Sequence, residues 1–263
     1  MLSPRVVKLG GNELDRPGWL ATCARALVRL DPVVVVHGGG RAISALSRRL
    51  GLTVEQRDGV RVTTPEIAEV VELVLGGPVN RQVVAELRAA GLDAVGLSGV
   101  DGGLLVARPA GGGLGMVGEI AHVRAGLLES FLLAGLTPVI APMAPAPAPE
   151  GGPPLNVNAD AAAAAIAGAL HAAELLLVSD VAGVQVDGVL RPTLDAVDVE
   201  VLIDSGAVTG GMAAKLRAAT AALRAGARGV RIGDLRLLEH PGAGTRVVAP
   251  APAPAPAPAP QPA

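Results

Sequence analysis

The chain has 263 residues, a formal charge of −2 and an apolar fraction of 50%, enough for one large or two modest domains with a full core. Its arginines are dispersed rather than patched, no apolar run reaches the roughly 18 residues of a membrane span, and no signal-peptide pattern opens the chain; a cytoplasmic protein that handles small molecules, not nucleic acid or membrane, is expected. A single cysteine, Cys23, excludes an internal disulfide, and with Trp19 and Phe131 as the only aromatics the core must be filled by Leu, Val and Ala.

The first element is a strand from Arg5, R-V-V-K-L, which opens into Gly10, Gly11 and Asn12. Lys8 lies inside this apolar run, where an ammonium group is costly without a purpose. The sequence contains twenty arginines and two lysines, Lys8 and Lys215. Arginine has served wherever a generic positive charge was needed, and lysine remains at two places. A compact ammonium suits a phosphoryl oxygen where a broad planar fork does not, so Lys8 and Lys215 are expected to share one active site. The alternative is that both are leftover surface charges.

Asp15 and Pro17 read as a helix start, and residues 19–30 follow with apolar side chains, Cys23 among them, at helical spacing. Residues 32–36 form a β-branched run suited to a strand buried on both faces of a parallel sheet. It ends in His37-Gly38-Gly39-Gly40, and a helix over 41–50 begins at once. A strand, a glycine run and a helix N-terminus together make anion-binding geometry; a plain tight turn requires fewer glycines. The pattern is neither a P-loop nor a dinucleotide fingerprint.

Residues 53–63 read as a hairpin turning at Arg57, Asp58 and Gly59, with Arg61 in its second arm. Thr63 or Thr64 caps a helix to Leu75, Gly76-Gly77 breaks it, and Pro78 starts another that stops at Gly91. A strand over 94–97, an antiparallel pair over 104–108 and 116–122, a helix over 127–134 and a strand over 137–141 follow. The proline-rich residues 142–154 are expected to be an exposed, semi-stiff loop. Next, two of the four asparagines fall in Leu155-Asn156-Val157-Asn158-Ala159-Asp160, before a helix over 161–170. Capping explains one such residue, not three.

An apolar strand over 175–178 ends in Ser179-Asp180, and a hairpin spans 184–190. Asp198 reads as the cap of a short helix to Ser205. Thr209-Gly210-Gly211-Met212 precedes a long helix to Ala225 with Lys215 in about its first turn. A cation there opposes the helix dipole, which is easier to understand if an anion docks nearby. Strands over 228–232 and 244–248 precede an Ala-Pro tail, 249–263, excluded from the fold. The alternation argues an α/β sheet with helices on both faces, its glycine-rich turns near residues 10, 38 and 98 and at Ser179-Asp180 along one carboxyl edge.

The segments V-V-K-L-G-G, V-V-V-V-H-G-G-G, D-G-V-R-V-T, G-L-S-G-V-D-G, N-V-N-A-D, L-V-S-D-V-A-G-V and T-G-G-M-A-A-K, in this order, resemble the amino acid kinase family over roughly residues 5–248, and most closely those members that phosphorylate N-acetyl-L-glutamate. The resemblance implies a three-layer αβα sandwich around a mainly parallel central sheet, carbamate kinase-like. Residues 1–172 would bind the acceptor and dimerise, and residues 173–248 would bind ATP. It implies phosphoryl transfer from ATP to the side-chain carboxylate of N-acetyl-L-glutamate in arginine biosynthesis, with Mg2+ carried by the nucleotide phosphates and no metal ligand from the protein.

By the same resemblance Lys8 and Lys215 stabilise the transition state, Asp160 positions both, and Gly11 donates its N–H to the transferred group. Gly39 and Gly40 lie at the acceptor, whose α-carboxylate Arg61 and Asn156 hold. Gly10, Gly11, Ser179, Asp180, Val181, Ala182, Gly183, Val184, Gln185, Ala207, Val208 and Thr209 would contact the nucleotide. The stretch after Gly233-Asp234 is short for the family, leaving adenine contacts there unassigned. With no extra helix before Arg5, an arginine-insensitive homodimer is implied.

The chemistry agrees with this pattern. A carboxylate nucleophile is ionised at neutral pH, so no general base is required, and His37 is expected to be structural. Two rivals remain at this point. One is a kinase of aminoadipate or glutamate borne on a small acidic carrier protein, which D-G-V-R-V-T and a net-acidic chain both disfavour. The other is a non-catalytic amino-acid or nucleotide sensor on the same fold, which would not need both lysines and Asp160.

Overall fold

The computed structural model describes residues 3–11, 13–57, 59–145 and 153–249. Strand β1 (Arg5–Leu9), helix α1 (Trp19–Leu27), strand β2 (Val33–His37) and helix α2 (Gly40–Arg49) lead into a hairpin of β3 (Gln56–Arg57) and β4 (Val60–Arg61). Helices α3 (Pro65–Val74) and α4 (Asn80–Ala89) precede β5 (Ala94–Ser98), β6 (Leu105–Pro109), β7 (Val117–Val123), α5 (Ala125–Leu133) and β8 (Thr137–Ala141). Strands β9 (Met143–Ala144) and β10 (Leu155–Val157) come before α6 (Ala159–Ala169) and β11 (Glu174–Val178). The last elements are the hairpin β12 (Gln185–Val186) and β13 (Val189–Leu190), then β14 (Thr193–Asp195), α7 (Ala196–Asp204), α8 (Gly210–Arg224), β15 (Val230–Gly233) and β16 (Thr245–Val248).

Eight strands form the central sheet in the order β14-β16-β15-β11-β1-β2-β8-β5, and every neighbouring pair is parallel except β15 and β16. Strand β2 shows why this sequence adopts the arrangement: its four valines and His37 are all buried, as a strand covered on both faces requires. Alternate residues serve the two layers. Val6, Val34, Val36, Leu175 and Leu177 join one core with α5, α6 and α8. Val7, Leu9, Val33, Val35, Leu176 and Val178 join the other with α1, α3 and α4. This is the expected three-layer sandwich. A second sheet, in the order β6-β7-β10-β9, lies beside it.

Alanines replace aromatic bulk by bringing helices close. Ala162, Ala163 and Ala167 of α6 are wholly buried. A Cβ on Gly168 of the same helix would stand 2.4 Å from the Ala225 Cβ that follows α8. Cys23 is buried within α1, and burial pushes its thiol up to about 12, an inert core residue.

Several expectations are corrected. Helix α1 starts after Gly18, in the left-handed region at φ 72 with no side-chain cap, not at Asp15 or Pro17, and Val28–Leu30 tighten into a 3-10 turn. Within the proline-rich stretch, Met143 and Ala144 form a buried strand antiparallel to β10, because Pro142 and Pro145 flank the ladder rather than interrupt it. Residues 146–152 of that stretch, Asn12, Asp58 and the tail from 250 lie outside the described residues. Asp195, not Asp198, is the N-cap of α7, and Asp198 closes a capping box from the third helical position. Lys215 is the sixth residue of α8, in its second turn, where the opposing dipole has already weakened.

Candidate active site

Strands β11, β1 and β2 are adjacent in the sheet, with Leu9 level with Val178 on one side and His37 on the other. Their carboxyl ends therefore bring three loops together: Gly10-Gly11, Gly38-Gly39-Gly40 and Ser179-Asp180-Val181. All of these residues line a cleft of about 420 Å³. The turn after β5 does not line it; its Gly99 packs against the carbonyl of Met143 at the sheet's edge. Gly11 has a geometric reason to lack a side chain, since a Cβ there would lie 2.5 Å from the backbone nitrogen of Gly39. The two glycine turns touch main chain to main chain, which brings backbone N–H groups to the cleft wall.

Pleating fixes which face of β1 carries Lys8. Lys8 shares the side of β1 that carries Val6, the side covered by α6 and α8, so its side chain meets the first turn of α6 and the second turn of α8. Lys8 Nζ lies 2.9 Å from Asp160 Oδ1, and Lys215 Nζ lies 3.1 Å from Asp160 Oδ2. Lys215 donates a hydrogen bond. Lys8 forms an ion pair with the other oxygen of the same carboxylate. Burial drives the Lys8 ammonium below the ordinary lysine value, with Asp160 only partly opposing it. Burial also works against ionised Asp160, but the two ammonium groups override it and hold that carboxyl below the usual range. A carboxylate shared by two cations leaves a net positive charge facing the cleft.

The asparagine cluster divides its work. Asn158 caps α6, its Oδ1 accepting from the N–H groups of Asp160 at 2.9 Å and Ala161 at 3.1 Å. Asn156 lines the cleft and donates to Thr63 Oγ1 at 3.0 Å, and Thr63 donates to the Arg61 carbonyl. Arg61 is buried, with Nη2 donating to the Gly40 carbonyl and to Ser44 Oγ, both at 2.9 Å. Its Nη1 is buried with no partner among the described residues. An orphan guanidinium donor at the cleft wall beside Gly40 suits a carboxylate ligand.

His37 is fully buried; Nδ1 faces the Gly38 carbonyl at 3.1 Å and Nε2 accepts from Asn80 Nδ2 at 3.0 Å. Burial lowers its pKa to about 4, so it is a neutral structural residue.

Of the other expected nucleotide contacts, Ala182, Gly183, Val184, Gln185, Ala207, Val208 and Thr209 do not line this cleft. Val184 and Val208 are core residues, and the Val184 N–H is donated to Thr245 Oγ1 at 2.8 Å. Gly211 and Met212 line the cleft in place of residues 207–209. Sequence reasoning missed Glu13, which is 2% exposed at the cleft, with Oε1 lacking a hydrogen-bond partner among the described residues. A charged residue next to an apolar-looking turn was its only signal. It also missed Gly59: a Cβ there would stand 3.3 Å from Gly210, so the tip of the β3–β4 hairpin meets the start of α8 over the cleft. Among the described residues no group of three or more His, Cys, Asp or Glu side chains is placed to hold a metal ion, and no helix is long and apolar enough to cross a membrane.

The family model for the amino acid kinase family matches residues 3–234. The chain is 47% identical over 250 residues to an acetylglutamate kinase of Chloroflexus aurantiacus, a match that covers 94% of this chain and 97% of that one. It is 46% identical over 254 residues to an acetylglutamate kinase of Methanopyrus kandleri, covering 92% and 99% respectively. Among solved structures it resembles smu.665 from Streptococcus mutans UA159, with a TM-score of 0.83 and 29% identity over 94% of this chain and 99% of that chain.

Proposed function

The chain belongs to the amino acid kinase family, and from that premise we propose that it is the acetylglutamate kinase of an arginine-forming route, transferring the γ-phosphoryl group of ATP to the side-chain carboxylate of N-acetyl-L-glutamate. The observation that carries this reading is the convergence of Lys8 and Lys215 on Asp160 inside the cleft.

The acceptor's ionised carboxylate oxygen attacks the γ-phosphorus, the bond from that phosphorus to the bridging oxygen breaks, and ADP departs. No proton needs to move, consistent with a neutral, buried His37. The task is to bring two anions together and stabilise the charge spread over the transferred group. Lys8 stands on the central strand between the acceptor loop after β2 and the nucleotide loop after β11. Lys215 approaches from α8, and Asp160 fixes both ammonium groups without neutralising the pair. Gly11 offers its N–H to the transferred group. Arg61 Nη1 and Asn156 hold the α-carboxylate beside Gly39 and Gly40, and Gly10, Ser179, Asp180 and Val181 face the nucleotide phosphates. When bound, Mg2+ supplies charge neutralisation of those phosphates. The unpartnered Glu13 and Ser179 oxygens make the nucleotide side of the cleft a fitting environment for it.

On this reading residues 1–172 form the acceptor-binding and dimerising lobe and 173–248 the nucleotide lobe of a cytoplasmic homodimer. Strand β5 supports the dimer, because it ends the central sheet with one side of its ladder unpaired by another strand among the described residues. The test is a substrate panel: ATP with N-acetyl-L-glutamate, glutamate, aspartate, carbamate, or aminoadipate on an acidic carrier protein, reading ADP release and trapping the acyl phosphate with hydroxylamine. N-acetyl-L-glutamate is expected to turn over with the highest kcat/KM. Turnover on the carrier-bound acceptor alone, or on none, overturns the reading.

A further inference from the structure

We propose that Glu13, Ser179 and Asp180 form the protein's half of a divalent-cation site that the phosphate oxygens of the nucleotide complete. The proposal rests on the kinase reading and goes beyond it, because the family resemblance assigns the protein no metal ligand.

Two side chains carry the argument. Glu13 and Ser179 both line the cleft, are 2% and 6% exposed, and leave Oε1 and Oγ respectively without a hydrogen-bond partner among the described residues. A buried oxygen with no partner is expensive, and a buried carboxylate oxygen more so. They sit on neighbouring loops, Glu13 just past β1 and Ser179 just past β11, strands paired in parallel up to Leu9 and Val178.

The loop holds Glu13 in place. Its N–H reaches the Gly10 carbonyl and its own carbonyl accepts from Arg16 N–H at 2.9 Å, folding the carboxylate back over Gly10. A Cβ on Gly10 would come within 2.2 Å of Glu13 Oε2, so the missing side chain at position 10 is the space the carboxylate occupies. Glu13, Ser179 and Asp180 thus line one cleft, with two of their oxygens lacking a hydrogen-bond partner among the described residues.

The chemistry selects the cation. Oxygen donors alone, with no Cys or His, fit a hard ion, and Mg2+ is held by one or two carboxylates plus substrate phosphates and retained waters. No set of three acidic or soft ligands is present among the described residues, so the site is incomplete until the nucleotide contributes. Metal and nucleotide should therefore bind with strong mutual dependence.

Mn2+ serves as the probe, its binding to the full chain followed by electron paramagnetic resonance with and without a saturating non-hydrolysable ATP analogue. Wild type should hold Mn2+ tightly only with the analogue. Glu13→Gln should weaken Mn2+ in the ternary complex by roughly 10–100-fold, the range typical of supporting ligands, with the metal-free affinity for the analogue unchanged or improved. Asp180→Asn, at an exposed position where folding is not at stake, should weaken Mn2+ in the same direction. Wild-type Mn2+ affinity in both variants overturns the proposal alone. Failure of the wild-type chain to bind the analogue at all overturns the kinase reading and this proposal with it.

Discussion

Lys8 and Lys215 are tied to opposite oxygens of one carboxylate, at 2.9 Å from Asp160 Oδ1 and 3.1 Å from Asp160 Oδ2. The lysines come from a strand and a helix, and Asp160 of α6 supplies the link between them. A guanidinium in either place would reach the carboxylate but not present the same compact charge. Lys8→Arg and Lys215→Arg should each lower kcat on the order of 10²–10³-fold with little change in KM. Full turnover by Lys8→Arg in a steady-state assay would sink the mechanism. Asp160→Asn should instead be felt in folding, since it leaves two buried ammonium groups uncompensated. A loss of about 3 kcal/mol in urea unfolding is expected.

The pH dependence of the same trio has a definite sign. Burial lowers the Lys8 pKa from 10.5, and Asp160 raises it by less. The working form is the ammonium, so kcat should fall on the alkaline side with an apparent pKa under that of an exposed lysine. Removing Asp160's charge by Asp160→Asn should move the alkaline limb to lower pH still. A limb that stays in place in that variant means Lys8 is not the titrating group.

The part of this site legible in the sequence was the part written as composition. Two lysines against twenty arginines pointed to one place, and both reach Asp160; of the asparagine pair, Asn158 caps α6 and Asn156 lines the cleft. The central strands were legible as well, because solid valine and leucine runs admit few other readings. What escaped was set by three-dimensional neighbours. Glu13 looks like a loop residue until its carboxylate is seen folded over Gly10. Met143-Ala144 form a strand only because β10 arrives to pair with them. Helix starts failed where Gly18 did the work without a side-chain cap.

His37 ties stability to acid. Its folded pKa is about 4, below the ordinary 6.5, so as pH falls the unfolded chain takes the proton first. Stability from this group is complete above 6.5 and is lost as pH drops towards 4, by about 3 kcal/mol at pH 4. Urea midpoints measured from pH 7 to pH 4 should decline accordingly. His37→Gln, which lacks a group titrating in this range, should show a distinctly flatter profile between pH 6.5 and 4. An equally steep decline in that variant assigns the acid sensitivity to other groups.

Gly59 and Gly11 separate closure from assembly. Gly59, at φ +80, brings the hairpin tip to the start of α8, and a Cβ there would stand 3.3 Å from Gly210. Gly11 holds two core loops together, where a Cβ would lie 2.5 Å from Gly39 N. The hairpin consists of two-residue strands with little buried area, so Gly59→Ala should cost only about 1 kcal/mol of global stability, as left-handed strain in an exposed turn does. Its effect should fall on the cover over the cleft: KM for the acceptor higher by several-fold, and more ATP hydrolysis uncoupled from acceptor phosphorylation as water gains entry. Gly11→Ala pushes backbone against backbone and cannot relax by moving a side chain. It should lower thermal stability and kcat together, without raising the uncoupled fraction. Initial-rate kinetics with and without acceptor, read beside melting temperatures, distinguish the two. A Gly59→Ala enzyme with unchanged KM and no added hydrolysis would show that the contact between the hairpin and α8 does not cover the bound substrates.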